Sequence, residues 1–225
     1  MINTESYHQI TQELSAKNVT LVAVSKTKPA ADIQALYDLG QSDFGENYVQ
    51  ELVEKQAQLP PDIRWHFIGH LQSNKVKYIA PFVHLIHSID NEKLLKEVNK
   101  QAIKQDRVID CLLQIHIAEE ETKFGMNEEE AQQIMNGIKD ESDFKNICVK
   151  GLMGMASNAV NEDKLRNEFR NLRQLYHRLA PLSTASCSFS ILSIGMSGDY
   201  KIAAEEGGNM VRIGSLLFGE RNYNK

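Results

Sequence analysis

Short apolar runs rich in Val, Ile and Leu alternate along the chain with longer stretches in which apolar residues recur every three or four positions. The first run, Val19 to Val24, is nearly continuous, the pattern of a parallel strand covered on both faces. It leads through Lys26 and Lys28 to Pro29, which donates no further ladder bond and turns the chain. Residues 30–39 then read as a helix stopped by Gly40. Further strands are predicted at 42–47, 64–69, 84–89, 108–118, 147–153, 189–194 and 209–213. Helical stretches at 48–58, 70–78, 91–105, 127–139, 161–180 and 200–206 separate them. The helix at 161–180 is the clearest, because Leu165, Phe169, Leu172, Leu175, Tyr176 and Leu179 form one stripe. Asn127 and Glu130 are spaced as an N-cap and its N3 acid. Within residues 1–18, Ile10 and Leu14 stand among polar residues, predicting an amphipathic leading helix packed on the barrel.

Eight strands alternating with helices fit an α/β fold of the (β/α)8 (TIM) barrel type better than an open doubly wound sheet. No composition break or linker marks a second domain, so one barrel is expected to use residues 1–225. A formal net charge of −5 argues against nucleic acid as a partner, since no basic field replaces phosphate counterions. The polar start of the chain lacks a signal-peptide core, and no run is apolar for long enough to span a bilayer. A cytoplasmic protein without membrane contact is expected. Cys111, Cys148 and Cys187 are scattered without CxxC spacing, which predicts buried reduced thiols. His84, His87 and His116 lack metal-ligand spacing, and no metal is expected. The acidic runs 119–121 and 128–130 read as solvated faces.

In such a barrel the carboxyl ends of the strands carry the chemistry, and the loops after strands seven and eight commonly hold phosphate. Strand seven runs into Gly195-Met196-Ser197-Gly198-Asp199, offering a hydroxyl, flexible backbone and unpaired helix-terminal amides. Strand eight runs into Arg212-Ile213-Gly214-Ser215, offering more amides, a second hydroxyl and a fixed positive charge. Gly-Ser turns mostly just connect elements, but two at the phosphate positions form a candidate cup. Lys26 at the end of strand one is either a solvated lysine or an amine aimed into the mouth, with Lys28 beside it. A ligand with both a phosphate and a reactive carbonyl would suit the set, and pyridoxal 5'-phosphate has both. A lysine attacks an aldehyde only as the neutral amine, which a nearby cation helps to supply. Asn47, at the tip of strand two, could hydrogen-bond the ring oxygen, and Arg212 could approach the ring nitrogen. An arginine there accepts no proton, leaving the ring a weaker electron sink than a carboxylate would.

The segments 21–29 (LVAVSKTKP), 44–51 (FGENYVQE), 65–75 (WHFIGHLQSNK), 151–153 (GLM), 192–200 (LSIGMSGDY) and 211–221 (VRIGSLLFGER) together resemble the pyridoxal phosphate homeostasis protein family. The resemblance runs in order from about residue 20 to 221. It implies a barrel similar to the amino-terminal domain of alanine racemase, with pyridoxal phosphate held on Lys26 as a Schiff base. It implies also that Ser197, Gly214 and Ser215 hold the phosphate, with Met196 and Gly198 in the same turn. Arg212 would approach the ring nitrogen and Asn47 would lie near the ring. The chain departs from the family pattern around strand five, where His116 stands for the usual Asn and Glu119 for the usual Gly.

The resemblance implies a protein that binds and buffers the cofactor, takes part in vitamin B6 and amino-acid balance, and has no established turnover; as a carrier it would give the cofactor to apo-enzymes as transient recipients or scavenge the excess. A monomer is expected. The alternative is a racemase-type enzyme of low activity. Racemisation needs a base on each face of the reacting carbon; in the racemases the second comes from a separate domain, for which 225 residues leave no room. A phosphosugar aldolase would fit the lysine and cup but not the segments. His66, His70 and Lys123 are further candidates for ligand contact, each with a packing or solvated alternative. Met153, Met155 and Met196 suit barrel layers, and Trp65 and Cys111 suit the core.

Overall fold

A computed structural model describes residues 2–118, 124–140, 144–157, 161–183 and 187–219. Eight parallel strands close on themselves in chain order, and the last pairs back onto the first. They are β1 (Thr20–Val24), β2 (Asp43–Glu46), β3 (Arg64–Phe67), β4 (Leu85–Ile89), β5 (Ile109–Ile115), β6 (Ile147–Gly154), β7 (Ile191–Ser193) and β8 (Met210–Ile213). The helices are α1 (Thr4–Ser15), α2 (Ala30–Asp38), α3 (Val49–Gln56), α4 (Val76–Ile79), α5 (Glu92–Lys104), α6 (Glu128–Asp140), α7 (Glu162–Leu179), α8 (Tyr200–Glu205) and α9 (Ser215–Phe218). This is the (β/α)8 barrel that the alternation predicts.

Strand residues alternate between two cores, as a period of two requires. Val22, Leu85, Leu112, Met153 and Met210 form a small cluster inside the barrel. Their neighbours Leu21, Ala23, Ile86, Cys111, Leu113, Leu152 and Val211 belong to or border the large cluster beneath the helices. Met153 and Trp65 are buried as expected. The α7 stripe is buried at Leu165, Phe169, Leu172, Leu175 and Leu179, each such side chain stabilising by roughly 1.5–3 kcal/mol. The leading helix α1 buries Tyr7, Ile10 and Leu14, and Glu13 accepts from Tyr200 and Lys201 of α8. Among the described residues no helix is long and apolar enough to cross a membrane.

The structure corrects several expectations. The stretch 70–78 is not one helix: residues 70–72 are irregular, and a 3-10 turn, Ser73–Lys75, leads into α4. Strand β7 is only three residues long, against the six expected at 189–194, and a one-turn helix, α9, follows β8 where the sequence assigned no element. Cys148 and Cys187 are a disulfide, not reduced thiols, with Cα atoms 5.4 Å apart across 39 residues. The parallel pairing of β6 with β7 across the α7 crossover, not local spacing, brings the start of β6 beside the segment that enters β7. Cys111 is the free and buried thiol expected of a core residue. Gly151, at φ +152°, marks the shift in register between β5 and β6; a Cβ there would lie 1.8 Å from the Ile191 carbonyl oxygen, so only glycine lets β7 approach. Lys123 and the acidic run 119–121 lie outside the described residues.

Candidate functional site

A cavity of about 290 Å³ opens at the carboxyl ends of the strands. Lys26 and Lys28 enter it from the loop after β1, Asn47 from the end of β2 and Ile68 from the end of β3. Met155 lies just past β6, and Met196, Ser197 and Gly198 form the turn after β7. Arg212 within β8, followed by Gly214 and Ser215, completes the wall. The two lysines, Asn47, the two Gly-Ser turns and Arg212 therefore face a single mouth.

The loop carrying Lys26 is fastened from behind. Ser25 Oγ donates to Glu46 Oε1 at 2.6 Å, and Lys55 Nζ reaches the same oxygen at 2.7 Å and the Ser25 carbonyl at 2.8 Å. Lys55 also pairs with Glu51 at 2.5 Å, which accepts from the Thr27 amide at 2.6 Å. That bond holds Thr27 at φ +65°, a left-handed conformation that a β-branched residue adopts only when its surroundings impose it. Burial pushes the Glu46 carboxyl up to about 7 against the opposing pull of Lys55. Lys28 Nζ donates to the Phe218 carbonyl at 2.9 Å and so ties this loop to the end of α9.

On the opposite wall the Gly214 amide donates to Ser197 Oγ at 3.3 Å, joining the turns after β7 and β8. Asp199 accepts from the Met196 amide at 2.5 Å and shapes the first turn. Asn47 Oδ1 is buried with no hydrogen-bond partner among the described residues. A buried amide without a partner costs on the order of 1–3 kcal/mol. The cavity that Asn47 lines is where a ligand could satisfy it.

Arg212 is the most enclosed cation of the site, and burial lowers its guanidinium to about 10. Its Nη1 donates to the Ser193 carbonyl at 2.8 Å and to Ser193 Oγ at 2.7 Å, and its Nη2 to the Gly154 carbonyl at 3.0 Å. Ser193 Oγ lies 3.1 Å from His87 Nδ1, His87 Nε2 lies 2.9 Å from His66 Nδ1, and His66 Nε2 lies 2.9 Å from Asp43 Oδ1. Asp43 accepts from Arg64 as well; burial alone would raise its carboxyl, but His66 and Arg64 hold it at about 2. His66 is thus inside the barrel and does not line the cavity. His70 lies instead 3.2 Å from Asp90 and stacks on Phe124. The inner chain of Asp43, His66, His87 and Ser193 escapes a reading by segments, although a polar residue at an inward position of an otherwise apolar strand, as in Leu85-Ile-His87-Ser-Ile89, is its sequence signal.

A closed barrel with an amine at the end of β1 and paired Gly-Ser turns after β7 and β8 defines a class, that of barrels built like the amino-terminal domain of alanine racemase. The model of that family, described as alanine racemase, N-terminal domain, matches residues 4–222. Within that class the chain belongs to the pyridoxal phosphate homeostasis protein family. The member from Aquifex aeolicus (strain VF5) is 41% identical over 204 residues, covering 90% of this chain and 87% of the relative. PipY of Synechococcus elongatus PCC7942, solved with PLP bound, superposes with a TM-score of 0.86 at 31% identity over 96% of this chain and 99% of its own. Alanine racemase from Bartonella henselae shares the fold alone, at a TM-score of 0.69 and 14% identity over 96% of this chain and 59% of the racemase.

Proposed function

We propose that the cavity binds pyridoxal 5'-phosphate, attached through Lys26 Nζ, and that the chain is a carrier taking part in pyridoxal phosphate homeostasis. The observation that carries this is the convergence of Lys26, the unpartnered Asn47 oxygen, Arg212 and the Ser197–Gly214 junction on one cavity. When bound, the cofactor supplies an aldehyde that an amine takes up reversibly. The residues around it divide the work. Ser197, Ser215 and the amides near Met196, Gly198 and Gly214 would hold the phosphate, and Asn47 would meet the ring's polar edge. Arg212 would face the ring nitrogen as a donor that accepts no proton.

The alternative is a racemase-type enzyme of low activity, which would need a base on each face of the reacting carbon; the curated relatives carry the name of a homeostasis protein and not of a racemase, which favours holding over turnover. The carrier is proposed to be a cytoplasmic monomer that hands its cofactor to apo-enzymes.

The test is an absorption spectrum of the purified protein with and without pyridoxal phosphate, followed by borohydride reduction and peptide mapping. A reducible band with the adduct on Lys26, lost in Lys26→Ala, is expected. An adduct elsewhere, or none, would sink the reading. Amino-acid racemisation assays on the loaded protein should show no turnover above the Lys26→Ala background.

A further inference from the structure

We propose that Asp43, His66, His87 and Ser193 are positioning residues that hold Arg212 through a one-way chain of hydrogen bonds crossing the barrel interior. The polarity follows from the chemistry of the two ends once His66 is taken as neutral. Asp43, ionised beside Arg64 and His66, is acceptor-only, so His66 must donate from Nε2 across the 2.9 Å contact. A neutral His66 then has only a lone pair at Nδ1, so His87 must donate from Nε2 at 2.9 Å. A neutral His87 in turn accepts at Nδ1, and the Ser193 hydroxyl supplies the hydrogen at 3.1 Å. That leaves the Ser193 oxygen to accept from Arg212, which can only donate. Every link agrees with the next.

Five strands contribute, because the chain passes from β2 through β3 and β4 to β7 and ends on β8. His87 and Ser193 are fully buried and His66 and Asp43 nearly so, so water offers these groups no substitute partners. His84 lies beside His66 with ring centroids 5.4 Å apart, and its donor atoms come within 4.8 Å of those of Asp43 and His66. A cation there would have to displace Arg64 and the His66 proton, so we read the group as the end of the chain and not as a metal site.

The consequence for ligand rests on the proposed pyridoxal phosphate reading. Three guanidinium N–H groups are committed to Ser193 and Gly154, which fixes the plane of the group and leaves the others for the cavity. Two of these contacts are main-chain carbonyls, and the chain adds the third through Ser193 Oγ, so that it helps to set which N–H meets the ring.

The first test needs no cofactor. In the PLP-free protein at about pH 8, above the ordinary imidazole pKa of about 6.5, long-range 1H–15N correlation should show His66 and His87 both neutral with the proton on Nε2. A proton on His87 Nδ1, or a His66 imidazolium, would overturn the chain. The second test uses the loaded protein. His87→Gln and Ser193→Ala should weaken pyridoxal phosphate binding by roughly tenfold, as for losing one charge-assisted hydrogen bond, and shift the absorption maximum while the Lys26 adduct still forms. Ser88→Ala, on the same strand but outside the chain, should change neither quantity. Unaltered affinity and spectrum in folded His87→Gln would refute the positioning role. If His87→Gln fails to fold, Ser193→Ala and the tautomers decide. If wild-type protein binds no pyridoxal phosphate, the functional reading falls while the tautomer measurement still judges the chain.

Discussion

Glu46 shows how a residue behind the site governs it. Its side chain is fully buried, one oxygen serves both Ser25 and Lys55, and the other has no partner among the described residues. Burial raises its carboxyl from 4.5 to about 7. A raised carboxyl binds its proton more tightly in the folded state, so the stability it contributes is full below 4.5 and is lost as pH rises through 7. The difference corresponds to about 3 kcal/mol. Glu46→Gln removes this dependence, so urea midpoints should show the variant gaining on the wild type between pH 4.5 and 8; a constant difference would contradict the account. His87 acts in the opposite sense. Burial holds its imidazole well below the ordinary value, so its contribution is present above about pH 6.5 and is lost on acidification. At this scale Lys26, Asn47, Ser197 and Gly214 were legible at the mouth because each sits just beyond an apolar run, where a barrel puts its chemistry. The inner polar chain was not, because its contacts join strands up to 106 positions apart and exist only once the barrel closes.

Among the elements, the turn after β3 leaves its backbone little room. A Cβ on Gly69 would lie 2.2 Å from the Asn47 carbonyl oxygen and 2.7 Å from its Cα. Both are main-chain atoms, so no side-chain rotation relieves the contact. Gly69→Ala should cost roughly 1–3 kcal/mol, as overpacking does, and should displace Asn47 enough to weaken ligand binding. Urea unfolding and pyridoxal phosphate titration measure the two effects, and an unaffected variant would show that this turn yields more readily than its geometry suggests. Most strands were legible as elements because a parallel strand covered on both faces is largely apolar. Their ends were less so. Residues 189–194 read as a six-residue strand from their apolar content, but the ladder uses three. The four-residue α9 was invisible, since one turn of helix is too short for a periodic stripe to show.

For the whole molecule, the disulfide is the one covalent tie between distant parts of the barrel wall. It closes a loop of 39 residues that contains α7. Chain-closure entropy assigns such a loop about 4 kcal/mol. Reduction, or a Cys148→Ser, Cys187→Ser pair, should therefore lower the melting temperature by roughly 10 °C for a chain of this size, measured by scanning calorimetry with and without reductant. No change would mean that packing against α7 already holds the two segments together. A cytoplasm keeps most such pairs as thiols, so in the proposed setting the tie would be the first part of the barrel to depend on redox conditions.

The seam between β7 and β8 has a single register pair, Ser193 with Met210, whereas β5 and β6 share seven, and main-chain bonds from Asn209 to Leu192, Ile194 to Met210 and Arg212 to Gly195 extend it. Arg212 crosses that seam to Ser193, and the Gly214–Ser197 bond crosses it again at the rim. The groups proposed to grip the phosphate and ring are therefore also clasps of the barrel wall. A bound cofactor would act as a rivet across that seam, so that occupancy would be written into how firmly the wall is closed.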